Sequence, residues 1–157
     1  MSAFGAHPLQ QSAERILALD LGTKRIGLAL SDELGLTAQG LDTLARKNKR
    51  TDLDALHRLV RERGVTLILI GLPLHMSGEE GKQAEWAREF AQLLGNYTGV
   101  PVILRDERWT SREAERTLRG SGVADGDRKA AIDRLSASIL LQSYLDSLAF
   151  QTPEAAS

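Results

Sequence analysis

The chain has 157 residues, 42% of them hydrophobic and 26% charged, with a formal net charge of −1. That is one domain of ordinary size with enough apolar material for a core. Its charge balance gives no global pull toward nucleic acid or membrane, so a polyanion would have to be met by a local basic patch. Cysteine is absent, which excludes disulfides, iron–sulfur clusters and thiolate zinc sites and fits a reducing cytoplasm.

The opening MSAFGAHPLQQSAE has neither the basic nor the apolar region of a signal peptide. No apolar run nears the roughly 20 residues that span a bilayer. The expectation is a cytoplasmic protein with a flexible tail over 1–14, a single domain over 15–150 and a second flexible tail over 151–157.

RILALDLG reads as a buried strand, joined by a tight Gly22-Thr23-Lys24 turn to a second strand in RIGLALSD. LTAQGLDTL is a weaker third strand that completes a meander. In TDLDALHRLVRERG, Leu53, Leu56, Leu59 and Val60 recur at helical spacing, with Thr51 as N-cap and Gly64 as stop. VTLILIGLP is a fully apolar strand ended by Pro73. A helix is expected from Gly78 to about Tyr97, a strand in VPVILRDE, a short helix in TSREAERTLRG and a long helix in KAAIDRLSASILLQSYLDSLAF. The fold class is therefore α/β: a five-stranded mixed sheet, a three-stranded antiparallel meander plus parallel strands, with helices on both faces.

Ligands of open α/β sheets sit beyond the carboxyl ends of parallel strands, which selects Asp20, Gly71–Gly78 and Asp106–Arg108. Asp20 and Glu107 each stand where an apolar strand runs out, and a carboxylate there is costly unless solvated, paired or bound. Asp133 has Ala130, Ser136, Ala137 and Leu140 as helical neighbours, a mostly small and apolar set that turns it toward the sheet. Three converging acids repel one another, and a divalent cation with hard oxygen ligands, magnesium or manganese, removes the conflict. Taken singly, each acid has an ordinary reading: a turn former, a solvated charge run, or an acid favoured by a helix dipole.

The segments LALDLGTKRIGLALSD, LILIGLPLHMSGEEG, VILRDERWTSREAE and KAAIDRLSASILLQSYL occur in one order between Ile16 and Leu145. Together they resemble the YqgF family of RNase H-like nucleases, also called RuvX. The most specific parts are the D-x-G-x-x-x-I-G opening, the G-L-P-x-x-x-x-G loop and the D-E-R-x-[ST] block. The resemblance implies an RNase H-like fold and a metal-dependent nuclease, hydrolysing phosphodiester bonds in 5′-end maturation of the 16S rRNA precursor. It also implies kinship with the Holliday-junction resolvase RuvC, and by that analogy a homodimer.

Carried over by position, Asp20, Glu107 and Asp133 are the expected catalytic residues and ligands of Mg2+ or Mn2+. RuvC carries a further acid one helical turn on, where this chain has Ser136, so the site here has fewer acids. Thr23, Lys24, Arg25, Arg108, Ser111 and Arg112 are the candidate nucleic-acid contacts, with an exposed hairpin tip as the plain alternative for the first three. Arg46–Arg50, Arg105, Arg116 and Arg119 add basic groups that track a backbone or simply face solvent. Aromatic residues are few, and Trp109 is the best candidate for stacking on a base. Two alternatives stay open: a Holliday-junction-resolvase-like DNA nuclease and a non-catalytic nucleic-acid-binding module. An actin-like ATPase, suggested by the DLGT turn, is disfavoured because the chain has only one such phosphate loop.

Overall fold

Four consecutive apolar residues, Ile16 to Leu19, make sense only in a strand buried on both faces, and that is what they form. The computed structural model describes residues 14–73, 81–106 and 135–149. Its strands are β1 (Ile16–Leu21), β2 (Arg25–Ser31), β3 (Ala38–Ala45), β4 (Leu67–Leu72) and β5 (Val102–Asp106). Its helices are α1 (Lys49–Arg63), α2 (Lys82–Thr98) and α3, the helical residues 135–149.

The sheet runs β3-β2-β1-β4-β5. β1 pairs antiparallel with β2, and β2 with β3, whereas β1–β4 and β4–β5 are parallel. β1 and β4 lie inside the sheet, which is why their sequences are continuous apolar runs instead of alternating ones. β3 and β5 are the edges of the sheet, and β3 has no buried residue, matching its weaker pattern.

Alternation along the strands divides the core in two. Leu17, Leu19, Ile26, Leu28, Ile68 and Ile70 face one side, where Leu53, Leu56 and Val60 of α1 and Phe90, Ala91 and Leu94 of α2 cover them. Ile16, Ala18, Ala29, Leu67 and Leu69 face the other, under Ala137, Leu140, Leu141 and Leu145 of α3. Leu56 is fully buried, and truncation of such a leucine to alanine costs about 2–5 kcal/mol.

Two helix starts differ from the sequence expectation. The N-cap of α1 is Asn48, whose side chain accepts from the Thr51 backbone N–H at 2.8 Å, so Thr51 is inside the helix and receives the cap. Asp52, buried in the first turn, accepts a second bond from the Lys47 N–H at 3.1 Å. The helix ends as expected at Gly64, whose φ of 64° lies in the left-handed region that favours glycine. α2 starts at Lys82, because Gly81 is extended and acts as its N-cap without a side-chain bond; the helix therefore does not begin at Gly78. The expected short helix in TSREAERTLRG lies outside the described residues, as do both expected tails apart from Glu14.

Candidate active site

Asp20 is the fifth residue of β1 and is half-buried at the strand's carboxyl end. Alternation sets it on the face of Ile16 and Ala18, the face that α3 covers. Directly across the antiparallel pair stands Gly27. On the other flank the parallel pairing runs Leu19 to Ile70, and the next residue of β4 is Gly71, on the same face as Leu69. Asp20 thus lies between two strand positions that carry no side chain. The sequence motifs mark both glycines, but only the register shows that they flank the same acid.

The turn beyond Asp20 is closed tightly. Gly22 donates to the Arg25 carbonyl at 3.0 Å, and a Cβ at position 22 would meet that same oxygen at 2.6 Å. Thr23 and Lys24 are exposed at the tip, and Arg25 is half-buried at the start of β2. Gly22 is therefore required by the turn itself.

Arg46, just past β3, locks this turn from the side. Its guanidinium lies 4.0 Å from the centre of the Trp86 ring and donates through Nη1 to the carbonyls of Gly22 at 2.6 Å and Thr23 at 3.3 Å. Its backbone N–H donates to the Lys24 carbonyl at 2.9 Å. Sequence patterning placed Arg46 in a basic run facing solvent or phosphate, whereas the structure uses it as a strap. Arg105 is likewise engaged, donating to Ser143 Oγ at 3.2 Å and approaching the Tyr144 ring.

Beside the strap is a cleft of about 220 Å³ lined by Leu21, Gly22, Thr23, Arg46, Lys82, Gln83 and Trp86. Nothing in the linear pattern pointed to it, because its walls come from β1, the end of β3 and the start of α2. Glu107, Arg108, Trp109, Ser111, Arg112 and Asp133 lie outside the described residues, so of the expected site only Asp20, Thr23, Lys24 and Arg25 are placed. Among the described residues no group of three acidic or histidine side chains forms a metal site. On α3, Ser136, Ala137 and Leu140 are buried.

The sequence profile of the family described as "RuvX: Holliday junction resolvase" matches residues 14–147. The chain belongs to the RuvX family. Its relatives include proteins named as candidate pre-16S rRNA nucleases. One from Koribacter versatilis is 54% identical over 132 residues, covering 84% of this chain and 86% of that one. One from Syntrophus aciditrophicus is 52% identical over 134 residues, covering 85% and 89%.

Among solved structures, RuvC of T. thermophilus in complex with a Holliday junction substrate matches with a TM-score of 0.57. The match covers 87% of this chain and 97% of RuvC at 14% identity. A fowlpox virus resolvase bound to Holliday junction DNA matches at 0.53, over 85% and 98%, also at 14% identity. At that identity the likeness is one of fold, and the fold is RNase H-like.

A divalent cation suits what the RuvX-family fold places here. The described donor is a hard carboxylate oxygen beside two glycines. In the layer that faces Asp20, the Ser136 hydroxyl is buried and makes no hydrogen bond, a polar atom that normally demands a partner.

Proposed function

We propose that this chain is a metal-dependent nuclease that hydrolyses phosphodiester bonds in the cytoplasm during 5′-end maturation of the 16S rRNA precursor. The observation that carries this reading is the setting of Asp20 in a RuvX-family chain: the carboxyl end of a central strand, on the face under α3, with Gly27 and Gly71 beside it. The rRNA substrate is taken from the relatives, 43–54% identical, that bear the pre-16S rRNA nuclease name.

Asp20 would hold Mg2+ or Mn2+ together with Glu107, which follows β5 directly in sequence, and Asp133, three residues before Ser136. Such a cation supplies Lewis acidity at phosphorus and lowers the pKa of water. Lys24, exposed at the tip of the β1–β2 turn between Thr23 and Arg25, would neutralise charge on the scissile phosphate. Arg46 keeps that turn in register with Asp20. Arg108, Ser111 and Arg112 extend the nucleic-acid contacts along the segment after β5.

Purified protein is offered structured precursor RNA, single strands and a four-way junction, with magnesium, manganese or chelator. Wild type should cut the RNA only with metal. Asp20→Asn, Glu107→Gln and Asp133→Asn should each lose at least a hundredfold in rate while melting as wild type. Calorimetric titration with Mn2+ should show weaker binding in all three. Cutting that survives chelation, or variants as active as wild type, would sink the assignment. Preferential cutting of the junction would move the substrate from RNA to branched DNA.

A further inference from the structure

The cleft beside the β1–β2 turn has the composition of a site for a sugar–phosphate unit. Its described lining carries two cations, Arg46 and Lys82, and no carboxylate. Leu21 and Trp86 give an apolar wall, and Thr23 and Gln83 add neutral hydrogen-bonding groups. Its volume of about 220 Å³ equals that of several waters at about 30 Å³ each, enough for a phosphate with part of its sugar.

The walls are fixed before anything binds. Arg46 is held by two carbonyls and the Trp86 ring, so a ligand would not have to pay for ordering it. The Trp86 ring already carries two partners, with Arg46 at 4.0 Å and Phe90 stacked at a centroid distance of 5.4 Å and 21° between planes. With those partners in place, Trp86 serves the cleft as an apolar wall against a sugar. Lys82 is exposed at the start of α2, free to reach an anion.

Leu21 follows Asp20 directly, but by alternation it belongs to the opposite face of the sheet. With consecutive Cα atoms about 3.8 Å apart, the cleft begins one residue from the candidate metal ligand. We propose that this cleft holds the sugar–phosphate unit next to the scissile one in a single-stranded substrate, which crosses the end of β1 from one face of the sheet to the other. The proposal rests on the nuclease reading above and names a contact that ignores base identity.

The test uses the full chain carrying Trp109→Phe, so that Trp86 is the remaining indole. Chelator is present so that nothing is cut. A ten-nucleotide single-stranded RNA should change Trp86 emission saturably. Lys82→Ala should weaken binding equally for different base sequences and lower the salt-dependence slope by about one, as expected for one phosphate contact, with an unchanged melting temperature. If the RNA binds by fluorescence anisotropy but Trp86 does not respond, or the salt slope of Lys82→Ala matches wild type, the proposal fails and the nuclease reading stands. A response to inorganic phosphate as strong as that to RNA assigns the cleft to a free anion and also overturns it. If wild type neither binds nor cuts any nucleic acid, both readings fall together.

Discussion

A single missing side chain governs the turn that follows Asp20. With the Arg25 carbonyl 2.6 Å from where a Cβ at position 22 would sit, Gly22→Ala must push backbone against backbone, and overpacking of this kind costs about 1–3 kcal/mol. Gly64 offers the matched control. Its φ of 64° also strains alanine, but a Cβ there meets nothing within 4 Å and the residue lies at the far end of α1. Gly22→Ala should therefore lose both stability and cleavage, the latter more than tenfold, whereas Gly64→Ala should lose about 1 kcal/mol and keep its rate. Thermal melts and cleavage assays on the two variants check this, and equal rates would detach the turn from the chemistry. The glycine was legible in the D-x-G motif, but its reason was not, because the opposing oxygen belongs to a residue across the turn.

At the scale of elements, the hydrophobic patterning announced every described strand and helix, since burial on one or both faces writes itself into periodicity. Helix starts were less legible. Asn48 wins the cap of α1 because an extended residue one position before the helix can reach Thr51, a competition that hydrophobic spacing does not register. The connection from β2 to β3 is organised by Asp32, whose Oδ1 accepts from the N–H groups of Leu36 at 2.7 Å and Thr37 at 3.0 Å. The Thr37 bond is the main reason its carboxyl is held below the ordinary aspartate value. A depressed folded value means stability that is present above the unfolded pKa and lost as pH falls through the folded one. Asp32→Asn should therefore melt lower than wild type at neutral pH. The gap should close as pH drops below about 4, the ordinary aspartate range. A gap that is constant from pH 7 to pH 3 would show that the charge contributes nothing.

For the whole molecule, the sequence already implied helices on both faces of one mixed sheet, and that is the observed architecture. What it could not convey was which residues from distant segments meet. The cleft draws on three elements, and the pairing of Asp20 with Gly27 and its proximity to Gly71 come from strand register alone. The two layers also differ in build. Toward α1 and α2 the strands β1 and β2 present leucine and isoleucine, whereas toward α3 they add two alanines, Ala18 and Ala29, to the larger Ile16, Leu67 and Leu69 of that face. A Cβ on Gly40 would come within 3.1 Å of Ser138 Oγ, so α3 rests close on this part of the sheet.

Those small side chains act as a spacer of fixed thickness. The distance between α3 and the face of the sheet that carries Asp20 is set in part by alanines that take no part in chemistry. Ala18→Leu would work as a shim, two residues from the carboxylate and wholly inside the apolar layer. It should lift the helix and cost about 1–3 kcal/mol, yet leave a folded chain whose rate has fallen far more than its stability. Melting and cleavage measured side by side would show it, and a variant that loses stability alone would mean the sheet, not the helix, gives way. Catalytic tuning in such a protein would then be available from methyl groups in the dry interior, by altering a gap instead of a ligand.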